Sequence, residues 1–208
     1  MNLLERTRLP VTARPAPRFT TADVSRLNEG IRGNMTTHFL ALSPDDRRLR
    51  FGTSLSIEAI AAYVDRIDFD RDAVFGVLDD ALAIVGVAHV AFSDDCAEFG
   101  ISVLPDHRGR GAGAALFARG VAHARNRSVP TVFMHCLAEN TAIMRIARKS
   151  GMHIIAEAGD ADAHLALAPA SAASITGEYL TDQLALFDYA LKSHVAAWRG
   201  INAALKGH

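Results

Sequence analysis

The run Val103-Leu104-Pro105-Asp106-His107-Arg108-Gly109-Arg110-Gly111-Ala112-Gly113-Ala114-Ala115-Leu116 sets three alternate glycines beside the fixed charge of Arg108. Glycine lets the backbone come close to a ligand and turn its N–H groups inward. With an amphipathic helix opening after the glycines, those free donors and the positive end of the helix dipole suit a pyrophosphate. Glu98, just upstream, is a carboxylate of the kind that takes a proton from a nucleophile. His135 and Cys136 are adjacent, and Asn140 follows closely. Neighbours on a strand point to opposite faces, so His135 and Cys136 do not act together, and Cys136 reads as a buried structural thiol. No His, Cys, Asp or Glu spacing matches a metal site, and no metal is expected.

The flanking elements must hold these groups. Residues 1–18, with Pro10, Pro15 and Pro17, read as a flexible arm, ending in a first strand near Arg18-Phe19-Thr20. From Thr21 or Asp23 the spacing of Val24, Leu27 and Ile31 predicts a helix. Ser43 before Pro44, Asp45 and Asp46 marks a helix start, and Ser56 marks another, carrying Ile57, Ile60, Ala61 and Val64. Ala73–Leu78, Ala81–Phe92 and Cys96–Leu104 predict three antiparallel strands. The glycine loop leads into a helix with Leu116, Phe117, Val121 and Ala124 on one face. A buried strand at Thr131–Cys136 follows, then a helix from Asn140 to Gly151, then short strands near His153–Ala156 and His164–Leu167. This order argues for an α/β (α+β) fold, a mixed and mostly antiparallel sheet with packed helices. Residues 176–206 predict one long helix. Leu180, Leu184, Phe187, Leu191, Trp198, Ile201 and Leu205 step by three and four, with His194 in the missing place. That seam either caps the domain or forms a homodimer.

Three explanations compete for the glycine loop. It could be a structural turn. It also satisfies a permissive dinucleotide fingerprint through Gly109, Gly111 and Ala114, with Glu139 downstream. Against that fingerprint, Leu104 to Arg108 separate the strand from the first glycine, and hairpin-connected strands do not suit a doubly wound sheet. The third explanation is a family resemblance. V-x-P-x-x-R-G-x-G-x-G over 103–113, with Asn140 and the later Gly151-Met152, resembles the GNAT superfamily of acetyl-CoA-dependent N-acetyltransferases. The likeness spans residues 98–152.

The resemblance implies a GNAT domain over 19–169, followed by a helical extension over 170–208. It implies that acetyl-CoA is the acyl donor. Arg108, Gly109, Gly111, Gly113 and Ala114 would bind its pyrophosphate, and Ile101, Val103 and Asn140 its pantetheine arm. Glu98 would be the base for direct transfer to a primary amine in a ternary complex. A base matters because a lysine-like amine is neutral in only about one molecule in 2,500 at pH 7. Several pieces also look like bacterial protein-lysine acetyltransferases associated with acyl-CoA synthetase-like chains. They are Leu42-Ser43-Pro44-Asp45-Asp46 with Arg50-Phe51, Ala97-Glu98-Phe99, and Glu139-Asn140 with Met144 and Ala147. The acceptor, a protein lysine or a small amine, stays open. Many relatives carry a tyrosine where this chain has Ala147, so no general acid is assigned. A non-catalytic acyl-CoA sensor is the alternative that Ala147 keeps open and Glu98 opposes.

Composition fits a globular domain: half of the 208 residues are apolar, and the formal net charge is −1. Such a balance does not draw the chain to nucleic acid or an anionic membrane. Two distant cysteines, and no signal-like N-terminus or apolar span, predict a cytoplasmic protein.

Overall fold

The computed structural model describes residues 18–206, with side chains through Arg199. Residues 1–17 of the arm expected over 1–18, and the side chains of the seam positions Ile201 and Leu205, lie outside what is described. Seven strands form one sheet in the order β1 (Val24–Leu27), β2 (Ala73–Leu78), β3 (Ile84–Phe92), β4 (Cys96–Val103), β5 (Thr131–Leu137), β7 (Asp160–Ala166) and β6 (His153–Glu157). Every neighbouring pair is antiparallel except β4 with β5. Helices α1 (Arg32–Ala41), α2 (Pro44–Phe51) and α3 (Ile57–Asp65) precede β2. Helix α4 (Ala112–Asn126) follows the glycine loop, α5 (Thr141–Lys149) follows β5, and α6 (Ala172–Lys206) closes the described chain.

One expectation fails at the start. The first strand is Val24–Leu27, not Arg18–Thr20, and the helix placed from Thr21 or Asp23 begins only at Arg32. Val24, Leu27 and Ile31 fit a helical face, but tertiary pairing overrides that local pattern. Val24↔Val77 through Leu27↔Val74 extend the sheet beyond β2. Leu27 also fills the space over Gly76, where a Cβ would meet its Cδ1 at 2.6 Å. The Asn28 side chain accepts from the Gly30 N–H and turns the chain towards α1.

The predicted caps are present: the Ser43 and Ser56 hydroxyls accept from the N–H groups of Asp46 and Ala59. Strand alternation then divides the core between two faces. Phe75, Ala88, Val90, Ala97, Phe99 and Ile101 pack with Leu116 and Phe117 of α4. Val74, Leu78 and Val87 pack on the other face with Met35 and Phe39 of α1 and Ile60 and Val64 of α3. On that second face β4 carries Glu98, Gly100 and Ser102, whose small or polar side chains leave a groove beside the buried centre.

Candidate active site

The register between the parallel strands creates the opening. Cys96, Ala97 and Glu98 pair with Thr131, Val132 and Phe133, and no further β4–β5 pairs follow. Beyond Glu98 the strands part, so the edge of β4 facing β5 carries backbone groups without a strand partner. A cavity of about 350 Å³ fills the gap, lined by Ile101, Ser102 and Val103 on one wall and Asn140, Ile143 and Ile146 on the other.

At its end lies the glycine loop. Gly109 and Gly111 have φ of 71° and 90°, the left-handed region that side-chain-bearing residues rarely enter. Gly111 is also the N-cap of α4, and no side chain caps that helix. Gly113 allows α5 to approach, since a Cβ there would meet Ile146 Cδ1 at 3.1 Å. Gly109, Gly111, Gly113 and Ala114 all line the cavity, as do Arg18, Arg145 and Lys149. Uncapped N–H groups at a helix N-terminus, ringed by cations, fit an anionic phosphate chain. His107 Nδ1 and Arg50 Nε, on residues lining the same cavity, are buried without a partner among the described residues.

Arg108 is tied down rather than free. Its Nε donates to the Val103 carbonyl at 2.9 Å, and its guanidinium pairs with Asp46 at 2.8 Å. It straps the loop to α2 at the cavity wall. Asn140 caps α5 by accepting from the Ile143 N–H, while its Nδ2 donates to the Leu49 carbonyl at 3.1 Å. Both cap and cavity wall are therefore one residue.

A second cavity of about 320 Å³ adjoins the first and shares Leu49, Arg50, Ile101, Asn140 and Ile143 with it. Glu98 lines this one, exposed and without a hydrogen-bond partner among the described residues. The residues expected to bind the donor therefore line one cavity, and the residue expected to be the base lines the neighbouring one. His135 is exposed and Cys136 buried, on opposite faces of β5. Burial and the nearby Asp162 and Asp160 push the Cys136 thiol up, which keeps it protonated. Ala147 is fully buried in the core.

Sequence reasoning missed a chain of side chains here. Arg50 lies over Gly100, where a Cβ would come within 2.1 Å of its guanidinium. It donates to the Tyr63 hydroxyl at 2.9 Å. Tyr63 Oη is 2.8 Å from His89 Nδ1, and His89 Nε2 is 3.0 Å from Asp72 Oδ2. His89, for which the sequence offered no partner, therefore has two. Residues 50, 63, 72 and 89 share no motif spacing, and only the packing of α2 and α3 on the sheet joins them. Burial lowers the pKa of His89; the Asp72 bond works against this and the Arg50 charge adds to it. For Asp72, burial alone would raise the pKa, but bonds from Arg71, His89 and the Phe92 N–H outweigh it and hold it low. A neutral imidazole beside a carboxylate fixes the tautomer: Nε2–H donates to Asp72, and Nδ1 accepts from Tyr63.

Among the described residues no group of three or more His, Cys, Asp or Glu could hold a metal ion, and no helix is long and apolar enough to cross a membrane.

The family model described as "Acetyltransferase (GNAT) family" matches residues 45–152. The chain belongs to the GNAT family of acetyltransferases. Membership makes it an acyltransferase that uses acetyl-CoA as donor. The matched range holds the glycine loop, Glu98, Asn140 and both cavities' shared wall. No curated protein matches the chain. Solved GNAT structures share its fold. The GNAT domain of an S. lividans PAT superposes with a TM-score of 0.60 at 18% identity, covering 69% of this chain and 89% of that one. A Brucella melitensis ribosomal-protein-alanine N-acetyltransferase gives 0.55 at 18%, covering 69% and 99%. A Salmonella typhimurium chain solved with its cofactor acetyl-CoA gives 0.55 at 15%, covering 72% and 95%. At such identities the likeness carries the GNAT fold alone. The mixed, mostly antiparallel sheet with packed helices and a long C-terminal helix agrees with the fold class expected from the sequence.

Proposed function

We propose that this enzyme transfers acetyl from acetyl-CoA to a primary amine, by direct attack in a ternary complex. The observation that carries this reading is the pair of adjoining cavities, one floored by uncapped helix N–H groups and the other holding a carboxylate with no partner among the described residues. The donor occupies the first. Its pyrophosphate lies on the loop Arg108, Gly109, Gly111, Gly113 and Ala114. Its pantetheine amides add to the open edge of β4 at Ile101 and Val103, as an extended peptide adds to a sheet edge, with Asn140 opposite. The thioester then lies where the cavities meet, and the acceptor enters from the side of Glu98.

Glu98 removes a proton from the acceptor ammonium, which gives the amine the lone pair it needs. The nitrogen attacks the thioester carbon, and a backbone N–H of β4 near Val103 meets the charge growing on the carbonyl oxygen. The acceptor is a protein lysine or a small amine. Cys96 and Cys136 are both free thiols, as befits a reducing cytoplasmic setting.

The seam of α6 supports assembly with a second copy. Leu180, Leu184, Phe187, Leu191 and Trp198 are 54–72% exposed, while the helix meets its own domain through Glu178, Asp182 and Ala185. An apolar seam at three-and-four spacing is self-complementary between two such helices.

Calorimetric titration with acetyl-CoA tests the site. Wild type is expected to bind. Gly111→Glu, which puts bulk and negative charge on the pyrophosphate loop, is expected to abolish binding. Glu98→Gln is expected to bind equally and to release thiol on the order of 100-fold more slowly with an amine present. Failure of wild type to bind would sink the reading.

A further inference from the structure

Loss of two protons is forced on the acceptor nitrogen. An ammonium becomes an amide, so one proton leaves before attack and one after it, while the departing sulfur needs one to become a thiol. Glu98 accounts for the first alone. The second proton and the acid for sulfur have no assigned carrier, because Ala147 is an apolar core residue.

Tyr63, His89 and Glu98 line the same cavity. Register puts them close: on the face opposite α4, His89 pairs with Gly100 and Ala91 with Glu98, so His89 and Glu98 are diagonal neighbours. Tyr63 reaches over from α3 and is held in an aromatic cluster with Phe39, Phe51 and His89, at centroid distances of 5.2–5.8 Å. Its oxygen accepts from Arg50, and its proton points to His89 Nδ1. One lone pair of that oxygen has no hydrogen-bond partner among the described residues. The groups facing His89 are Tyr63, Asp72, Arg71, Arg50 and, diagonally, Glu98.

We propose that Tyr63, backed by His89 and Asp72, is a proton shuttle that takes the second proton from the acceptor nitrogen and returns it to the leaving sulfur. This rests on the assignment of Glu98 and the two cavities above. After the C–N bond forms, the nitrogen carries a positive charge. Its proton passes to the Tyr63 oxygen as the Tyr63 proton moves to His89 Nδ1, and Asp72 holds the resulting imidazolium. Arg50 steadies the tyrosine oxygen during the exchange. The oxyanion then collapses and the C–S bond breaks with its electron pair on sulfur. His89 returns its proton through Tyr63, and free thiol leaves. Nothing is oxidised, the shuttle ends as it began, and the net proton departs from Glu98 to water. Tyr63 is the catalytic residue, and His89 and Asp72 position and recharge it.

The test is steady-state thiol release from acetyl-CoA, with the most reactive of propylamine, an N-blocked lysine and spermidine as acceptor. Calorimetric affinity for acetyl-CoA is measured on every variant. Tyr63→Phe keeps the aromatic cluster and removes only the hydroxyl. It is expected to lower kcat on the order of 100-fold with the affinity and KM for acetyl-CoA unchanged. His89→Gln should lose kcat likewise. Because the two act in one chain, the double variant should be no worse than either single one. A purely structural bond would shift stability and KM rather than kcat. Near-wild-type kcat in Tyr63→Phe, with Glu98→Gln inactive, overturns the shuttle and leaves the base in place. Multiplying losses in the double variant also overturn it. If wild type neither binds acetyl-CoA nor releases thiol with any of the three amines, the site assignment falls and takes the shuttle with it.

Discussion

At the scale of single residues, the site is built from groups whose protonation the fold has fixed. His38 shows how. It is buried under β3 and β4, with Nδ1–H donating to the Ile84 carbonyl at 3.0 Å and Nε2 accepting from the Ser102 hydroxyl at 2.8 Å. Burial lowers its pKa from 6.5 to about 4; the Ile84 bond opposes the shift and the Arg50 charge adds to it. The unfolded chain takes up a proton below 6.5 that the folded chain refuses until about 4. Stability from this group is therefore intact above 6.5 and falls as pH falls through that window, by up to about 3 kcal/mol. Denaturant midpoints of wild type are expected to drop between pH 6.5 and pH 4. In His38→Gln the same slope should flatten, even if the variant starts lower. Because Ser102 lines the first cavity, the pair also links α1 to that wall.

At the scale of elements, glycines on one strand and one helix do different work. Gly120 of α4 meets β4 so closely that a Cβ would lie 2.4 Å from Phe99 Cε1 and 3.2 Å from Val90 Cγ2. Both neighbours are in the packed core, so Gly120→Ala is expected to cost about 1–3 kcal/mol in chemical unfolding. At Gly100 the obstacle is the flexible end of Arg50. Gly100→Ala should therefore leave the unfolding midpoint near that of wild type while displacing Arg50 from Tyr63 and cutting thiol release at least ten-fold. The same division explains what the sequence revealed. Capped helices at Ser43 and Ser56, the hairpin strands and the glycine loop declare themselves through local chemistry, and so did the GNAT resemblance. Strand β1 did not, because its pairing with β2 is a long-range contact that outweighs a helical pattern. The Arg50–Tyr63–His89–Asp72 chain did not either, since its members come from two helices, a loop and a strand. Glu98 was legible as a carboxylate on the strand before the glycine loop, but its lack of an ion-pair partner among the described residues was not.

At the scale of the whole molecule, α6 joins two surfaces of opposite character. Its inner face carries partly buried carboxylates: Arg119 of α4, 1% exposed, pairs with Glu178 at 3.1 Å and with Asp182, and its guanidinium lies over Phe75. Glu178 also accepts from His123 and from Asn126 Nδ2. Burial alone would raise the Glu178 carboxyl, but these partners, His123 first, bring it from 4.5 down to about 2. A depressed carboxylate stabilises above its unfolded pKa, so this clamp holds above 4.5 and loosens as pH falls towards 2. Its outer face is the exposed seam from Leu180 to Trp198. The two faces make separable predictions. Leu184→Glu with Phe187→Glu puts like charges on the seam without touching the clamp. Wild type is expected to run as a dimer by light scattering, and this variant as a folded monomer with acetyl-CoA binding intact. Glu178→Ala instead leaves Arg119 as a buried charge with one partner fewer, a change worth about 3–5 kcal/mol for a broken buried pair. It should lower the unfolding midpoint and expose α6 to proteolysis. A monomeric wild type would overturn assembly through the seam, whereas a dimer surviving the seam charges would place the contact elsewhere.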